Sequence, residues 1–174
     1  MTAPAKEPRE VWLRGPVPGI ASLLQPAAHA LIQAAEEVRR TVAPLSDDVL
    51  WKTPGGAASV GFHVRHAAGS LDRLYTYARG EMLSATQLAA LKRETAPEEQ
   101  GNAAAAELVA VFEAQVERAL AQLRDTLADR LTEPREVGRA RLPSTVLGLL
   151  FHGAEHTQRH VGQTITTAKI VGRS

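Results

Sequence analysis

Leu23, Leu24, Ala27, Leu31, Ala34, Ala35 and Val38 recur at the spacing that lines one face of an α-helix. They predict a first helix over residues 19–42, with Pro26 inside it calling for a kink or a later start. Upstream, Pro4, Pro8, Gly15, Pro16 and Pro18 predict an extended arm over residues 1–18, with Trp12 and Leu13 packed on the helices. A stretch with Asp47, Asp48, Trp51 and Pro54-Gly55-Gly56 reads as a loop. Ser59 then caps a second helix running to about Arg79, and Gly80 closes it. Ser84 caps a short helix through about Lys92, and residues 94–101 read as a polar connection. Asn102 opens a third long helix to about Leu127, with Leu108, Phe112, Val116, Leu120, Leu123 and Leu127 on its apolar face. A loop with Pro134 and Gly138 leads to Leu142-Pro143-Ser144, read as the start of a last long helix reaching about Ala168.

Four long helices, one short extra helix and no strand signal predict an all-α protein, a four-helix bundle formed by residues 19–174 as one domain behind the arm. The 174 residues suffice to bury a core, and few aromatic but many Ala and Leu side chains favour close-packed helices over strands. Twenty basic against nineteen acidic residues leave a net charge of +1, so the basic face that nucleic-acid binding requires is missing. No apolar run approaches the roughly 18 residues of a membrane span, and the polar start has no signal-peptide pattern, so a cytoplasmic protein is expected. Cysteine is absent, which removes disulfides, thiolate metal sites and cysteine nucleophiles together. A metal site in this chain must be built from imidazole, carboxylate and water.

Of the six histidines, five fall in two short segments, His63 and His66 in the second helix and His152, His156 and His160 in the last. On a helical projection His156 and His160 lie within about 20° of Leu149, in the middle of the inward stripe, about 6 Å apart along the axis. Both can reach one ion, whereas His152 is too far from His160 to share it comfortably. A lone inward histidine is more often a hydrogen-bonded core residue than a ligand. A pair on one stripe is harder to read that way, and a further histidine from another helix shifts the balance toward metal. On the second helix, Val60, Val64, Ala67, Leu71, Leu74 and Ala78 define a stripe to which His63 lies nearer than His66. Periodicity slightly prefers His63 and leaves both open.

The segment His156-Thr-Gln-Arg-His160-Val-Gly-Gln163 resembles the H-x-x-x-H-R-G-Q signature in the last helix of the DinB/YfiT-like family, a group regarded as metal-dependent enzymes. Ser59-Val-Gly-Phe-His-Val-Arg-His66 is similar to that family's second helix, where a histidine follows a small capping residue by about seven positions. The order of elements agrees from about residue 20 onward. Val161 departs from the signature's Arg, and His63 and His152 are additional histidines. The resemblance implies a DinB-like bundle in which His66, His156 and His160 hold a divalent metal ion (zinc, nickel or iron) with water in the open positions. Three neutral imidazoles and vacant positions describe a catalytic rather than a structural centre.

What this implies about activity is a small-molecule transferase that presents a low-molecular-weight thiol to an electrophile, in detoxification or stress response. A metal-dependent hydrolase is the alternative within enzymes, and a non-catalytic metal-stabilised bundle the alternative outside them. His63 and His152 are the expected catalytic or ligand-orienting groups, with Tyr77 or Arg73 against the substrate. No nucleic-acid or membrane partner is expected, and monomer and homodimer are both open.

Overall fold

The computed structural model describes residues 9–94 and 103–172. Four long helices form the body: α1 (Gln25–Val42), α3 (Val60–Ala78), α5 (Ala105–Asp125) and α6 (Val146–Val171). Two short ones lie between them, α2 (Asp47–Leu50) and α4 (Ala85–Glu94). Around the bundle α1 packs on α6, α6 on α3, α3 on α5 and α5 back on α1, with α3 and α6 in the most extensive contact. Leu24, Leu31 and Val38 meet Leu71, Phe112, Leu123 and Leu150 in a core with no solvent exposure. This is the all-α four-helix bundle that the hydrophobic spacing predicts.

The helix ends follow local chemistry. The Ser59 side chain accepts a hydrogen bond from the Phe62 N–H at 3.1 Å and caps α3. Gly80 follows α3 at φ +83°, a conformation without penalty only for glycine. Ser84 and Gln87 cap α4 reciprocally, at 2.9 and 3.2 Å. The first helix begins later than residue 19. Residues Ser22–Leu24 form a 3-10 turn and Pro26 sits in the first turn of α1, where its missing N–H is not needed. The expected opening of the third long helix at Asn102 lies outside the described residues.

Three expectations are corrected. Trp12 and Leu13 are 62% and 49% exposed; the arm's 3-10 turn Val11–Arg14 instead buries Val11, whose N–H donates to Gln33 Oε1 at 3.0 Å. The stretch around Pro134 is a β-hairpin, β1 (Pro134–Val137) pairing antiparallel with β2 (Leu142–Thr145), so Leu142 and Ser144 are strand residues. Helix α6 starts only at Val146, capped by the Thr145 hydroxyl accepting from the Gly148 N–H at 3.0 Å. Four-residue strands carry too few positions for an alternating pattern to register. Finally, Glu94 belongs to α4 and is 4% exposed, not part of a polar connection.

Candidate metal centre

Helices α3 and α6 bring their histidines face to face. One ring nitrogen from each of His66, His156 and His160 can be chosen so that all lie within 4.8 Å of one another. His66 Nε2 and His156 Nε2 are 3.2 Å apart. Metal–imidazole bonds of about 2.0–2.1 Å at a tetrahedral angle place ligand nitrogens about 3.3 Å apart, so this pair is already at coordination spacing. The His160 ring centroid lies 4.5 Å from that of His66 and 4.6 Å from that of His156, which closes the triangle.

The protonation chemistry suits a cation. Burial, then the neighbouring His66, His156 and His63, pushes the His160 pKa down to about 4. Burial followed by the proximity of His66 and His152 also lowers that of His156. Both rings are therefore neutral at neutral pH, with lone pairs available to a ligand. Nδ1 of His156 is buried with no hydrogen-bond partner among the described residues. The donor set and its spacing fit a divalent ion of the zinc type.

The remaining histidines separate clearly. His63 is 8% exposed and its Nδ1 lies 3.2 Å from Nδ1 of His160, behind that ring rather than within the triangle. Burial, then the nearby His66, depresses its pKa. His152 is exposed, 3.3 Å from the Glu155 carboxylate, with its ring centroid 5.6 Å from that of His156. His29 bonds the Gly15 carbonyl at 2.9 Å, away from the site. An open cleft of about 300 Å³ leads to the triangle, lined by His66, His152 and His156, by Ser70, Arg73 and Tyr77, and by Leu74, Leu83 and Leu91.

Glu94 is the site residue that sequence reasoning missed. Its Oε2 lies 3.1 Å from Nδ1 of His66, and Arg73 grips both carboxylate oxygens at 2.6 and 3.1 Å. Burial pushes this carboxyl up, but the hydrogen bonds from His66 and Arg73 outweigh it and hold the pKa below the ordinary carboxylate value. Nothing local marks it: a single glutamate at the end of a short helix has no periodic signature. Arg73 is accordingly committed to Glu94, which leaves Ser70, Tyr77, His152 and His156 as the polar cleft groups without a contact to that carboxylate among the described residues.

Fold and site together define a DinB-like helical bundle with a three-histidine cluster between two antiparallel helices. The model of the DinB superfamily matches residues 30–164, most of the chain, and the protein belongs to that superfamily. A solved structure, that of a conserved protein from Enterococcus faecalis, shares the fold, with a TM-score of 0.70 at 21% identity, covering 88% of this chain and 99% of that one. No curated protein matches the chain. Among the described residues, no helix is long and apolar enough to cross a membrane.

Proposed function

We propose that this protein is a metal-dependent enzyme, a transferase that delivers a low-molecular-weight thiol to a small electrophile, with zinc, nickel or iron held by His66, His156 and His160. The observation that carries the reading is the triangle of imidazoles, with ligand atoms within 4.8 Å, at the end of an open cleft. A purely structural zinc site normally closes with four protein ligands, whereas three histidines beside a cleft leave room for substrate. When bound, such an ion polarises the group at its open position and lowers that group's pKa.

The chain's own residues set the rest. Leu74, Leu83 and Leu91 make one wall of the cleft aliphatic, which favours a small apolar electrophile. Among the described residues lining the cleft, Arg73 is the one Arg or Lys side chain, and it is paired with Glu94. In this reading His152, exposed at the cleft, takes up a proton from an incoming thiol. His63 backs His160 through their Nδ1 atoms and holds that ring's orientation.

The test is metal analysis of the chain purified without an affinity tag, followed by thiol-transfer assays over a panel of electrophiles. Metal at one equivalent and turnover abolished by chelator and by His160→Ala are expected. Hydrolysis in place of transfer would move the protein to the alternative enzyme class. Stoichiometric metal with no turnover of either kind would leave a metal-stabilised bundle.

A further inference from the structure

We infer that Glu94 is a positioning residue for the metal centre: its carboxylate holds the Nδ1–H of His66 and so presents Nε2 of that ring toward His156 and His160. This rests on the metal reading above and adds to it a group from a third helix.

The geometry is specific. An ionised carboxylate only accepts hydrogen bonds, so the 3.1 Å contact from Nδ1 of His66 to Oε2 places the ring hydrogen on Nδ1. The Nε2 atom then carries the lone pair, and it is this atom that faces His156 Nε2 at 3.2 Å. The carboxylate has little freedom to do otherwise. Arg73 binds it through two nitrogens, and the Glu94 side chain is 5% exposed.

The opposite side of the seat is cut into α3 itself. A Cβ added at Gly69 would fall 2.1 Å from Oε1 of Glu94 and 2.9 Å from Nη1 of Arg73. The carboxylate therefore fits only because position 69 has no side chain. A glutamate serving merely to neutralise Arg73 would not also need a notch that brings it onto the ring of His66. The contact between His63 and His160 repeats the pattern, with an outer partner on Nδ1 of a triad histidine. Outer partners of this kind fix the tautomer and ring orientation of metal-binding histidines, and their loss typically weakens metal affinity by about 10–100-fold.

The experiment compares the full chain with Glu94→Gln and Gly69→Ala, titrating each with Zn²⁺ and Co²⁺ against a competing chelator. Histidine ¹⁵N spectra of the wild type, metal-free and Zn²⁺-loaded, read the tautomer of His66. Expected are an Nδ1–H His66 in both wild-type states, Zn²⁺ affinity reduced about 10–100-fold in either variant, and an altered Co²⁺ visible spectrum. Gly69→Ala keeps both charges and crowds the Glu94 carboxylate most, with the paired Arg73 guanidinium next, so it serves if Glu94→Gln fails to fold. A His66 carrying its hydrogen on Nε2 in the wild type overturns the inference without recourse to any variant. Wild-type affinity and an unchanged Co²⁺ spectrum in a folded variant also overturn it, while the metal reading stands. A wild-type chain that takes up neither ion overturns the metal reading, and this inference with it.

Discussion

The ring of Tyr75 occupies the space that a side chain at Gly153 would need: a Cβ there would come 2.8 Å from Cε2 and 3.1 Å from Cδ2. Tyr75 is buried on α3 and its hydroxyl donates to the Leu150 carbonyl at 3.3 Å, so the ring cannot swing aside. This contact lets α3 and α6 approach closely in the stretch of α6 just before His156. The distance between the two helices is the distance across the three-histidine cluster.

Gly153→Ala is therefore expected to destabilise the protein. Overpacking a buried contact costs about 1–3 kcal/mol, against a helix-propensity gain of at most about 1 kcal/mol. Gly162 provides the contrast, since it lies on the same helix with nothing within 4 Å of an added Cβ. Gly162→Ala should stabilise by about 0.5–1 kcal/mol. Urea denaturation of the two variants checks the pair, and equal shifts in the same direction would refute the packing account.

Removal of metal should lower the melting temperature. A ligand bound only by the native state at 100 times its Kd adds about 2.7 kcal/mol, or about 5–10 °C for a chain of this size. Chelation of the wild type should produce that drop, and His160→Ala should melt at one temperature with or without chelator. His152→Ala, outside the triangle, should keep the metal-dependent shift. An unchanged melting temperature in fully demetallated wild type would count against an ion that ties α3 to α6.

The metal-free protein should lose stability on mild acidification. The folded pKa of His160 is pushed down to about 4 from an ordinary 6.5, and those of His63 and His156 are shifted the same way. Below pH 6.5 the unfolded chain takes up protons that the folded chain refuses, so stability falls as the pH drops toward about 4. Proton competition for the imidazoles weakens metal binding over the same range. Urea midpoints across this window, measured with chelator present, should decline steadily toward acid. Midpoints that hold level or rise would contradict the buried, neutral state of these rings.

The Arg73–Glu94 pair predicts an asymmetric double-mutant cycle. Arg73→Met leaves a buried carboxylate without its main partner, which typically costs about 3–5 kcal/mol. Replacing both partners with apolar side chains removes both charges, and the double variant Arg73→Met/Glu94→Met should recover much of that loss. Chemical denaturation of the two single variants and the double variant checks this. A double loss equal to the sum of the single losses would mean that the two residues do not act as a pair.

Much of the bundle was legible from residue spacing because helix formation is local. Ala27, Leu31, Ala34 and Val38 lie within α1, and Leu108, Phe112, Val116, Leu120 and Leu123 within α5, all buried as the pattern implies, whereas Leu23 and Leu127, just beyond the ends of those helices, are 67% and 62% exposed. The caps at Ser59 and Ser84 are local for the same reason. The hairpin at Pro134–Val137 was not legible, since its strands are held by pairing with each other and by the Arg135 guanidinium donating to the Ala78 carbonyl at 2.8 Å. Trp12 and Leu13 misled because bulk alone does not bury a side chain; the smaller Val11 lies inward.

His156 and His160 were bound to share a face, because four residues along one helix return the chain to nearly the same direction. Which histidine of α3 would join them was not determined in that way. It depends on the rotation of α3 against α6, set by contacts such as Tyr75 on Gly153 between residues far apart in the chain. That rotation places His66 in the triangle and His63 behind His160. Glu94 arrives from a third helix, through a notch at Gly69 that no single segment encodes. Periodicity acts within one helix; the choice of partners across helices is made by packing, and only the folded chain has it.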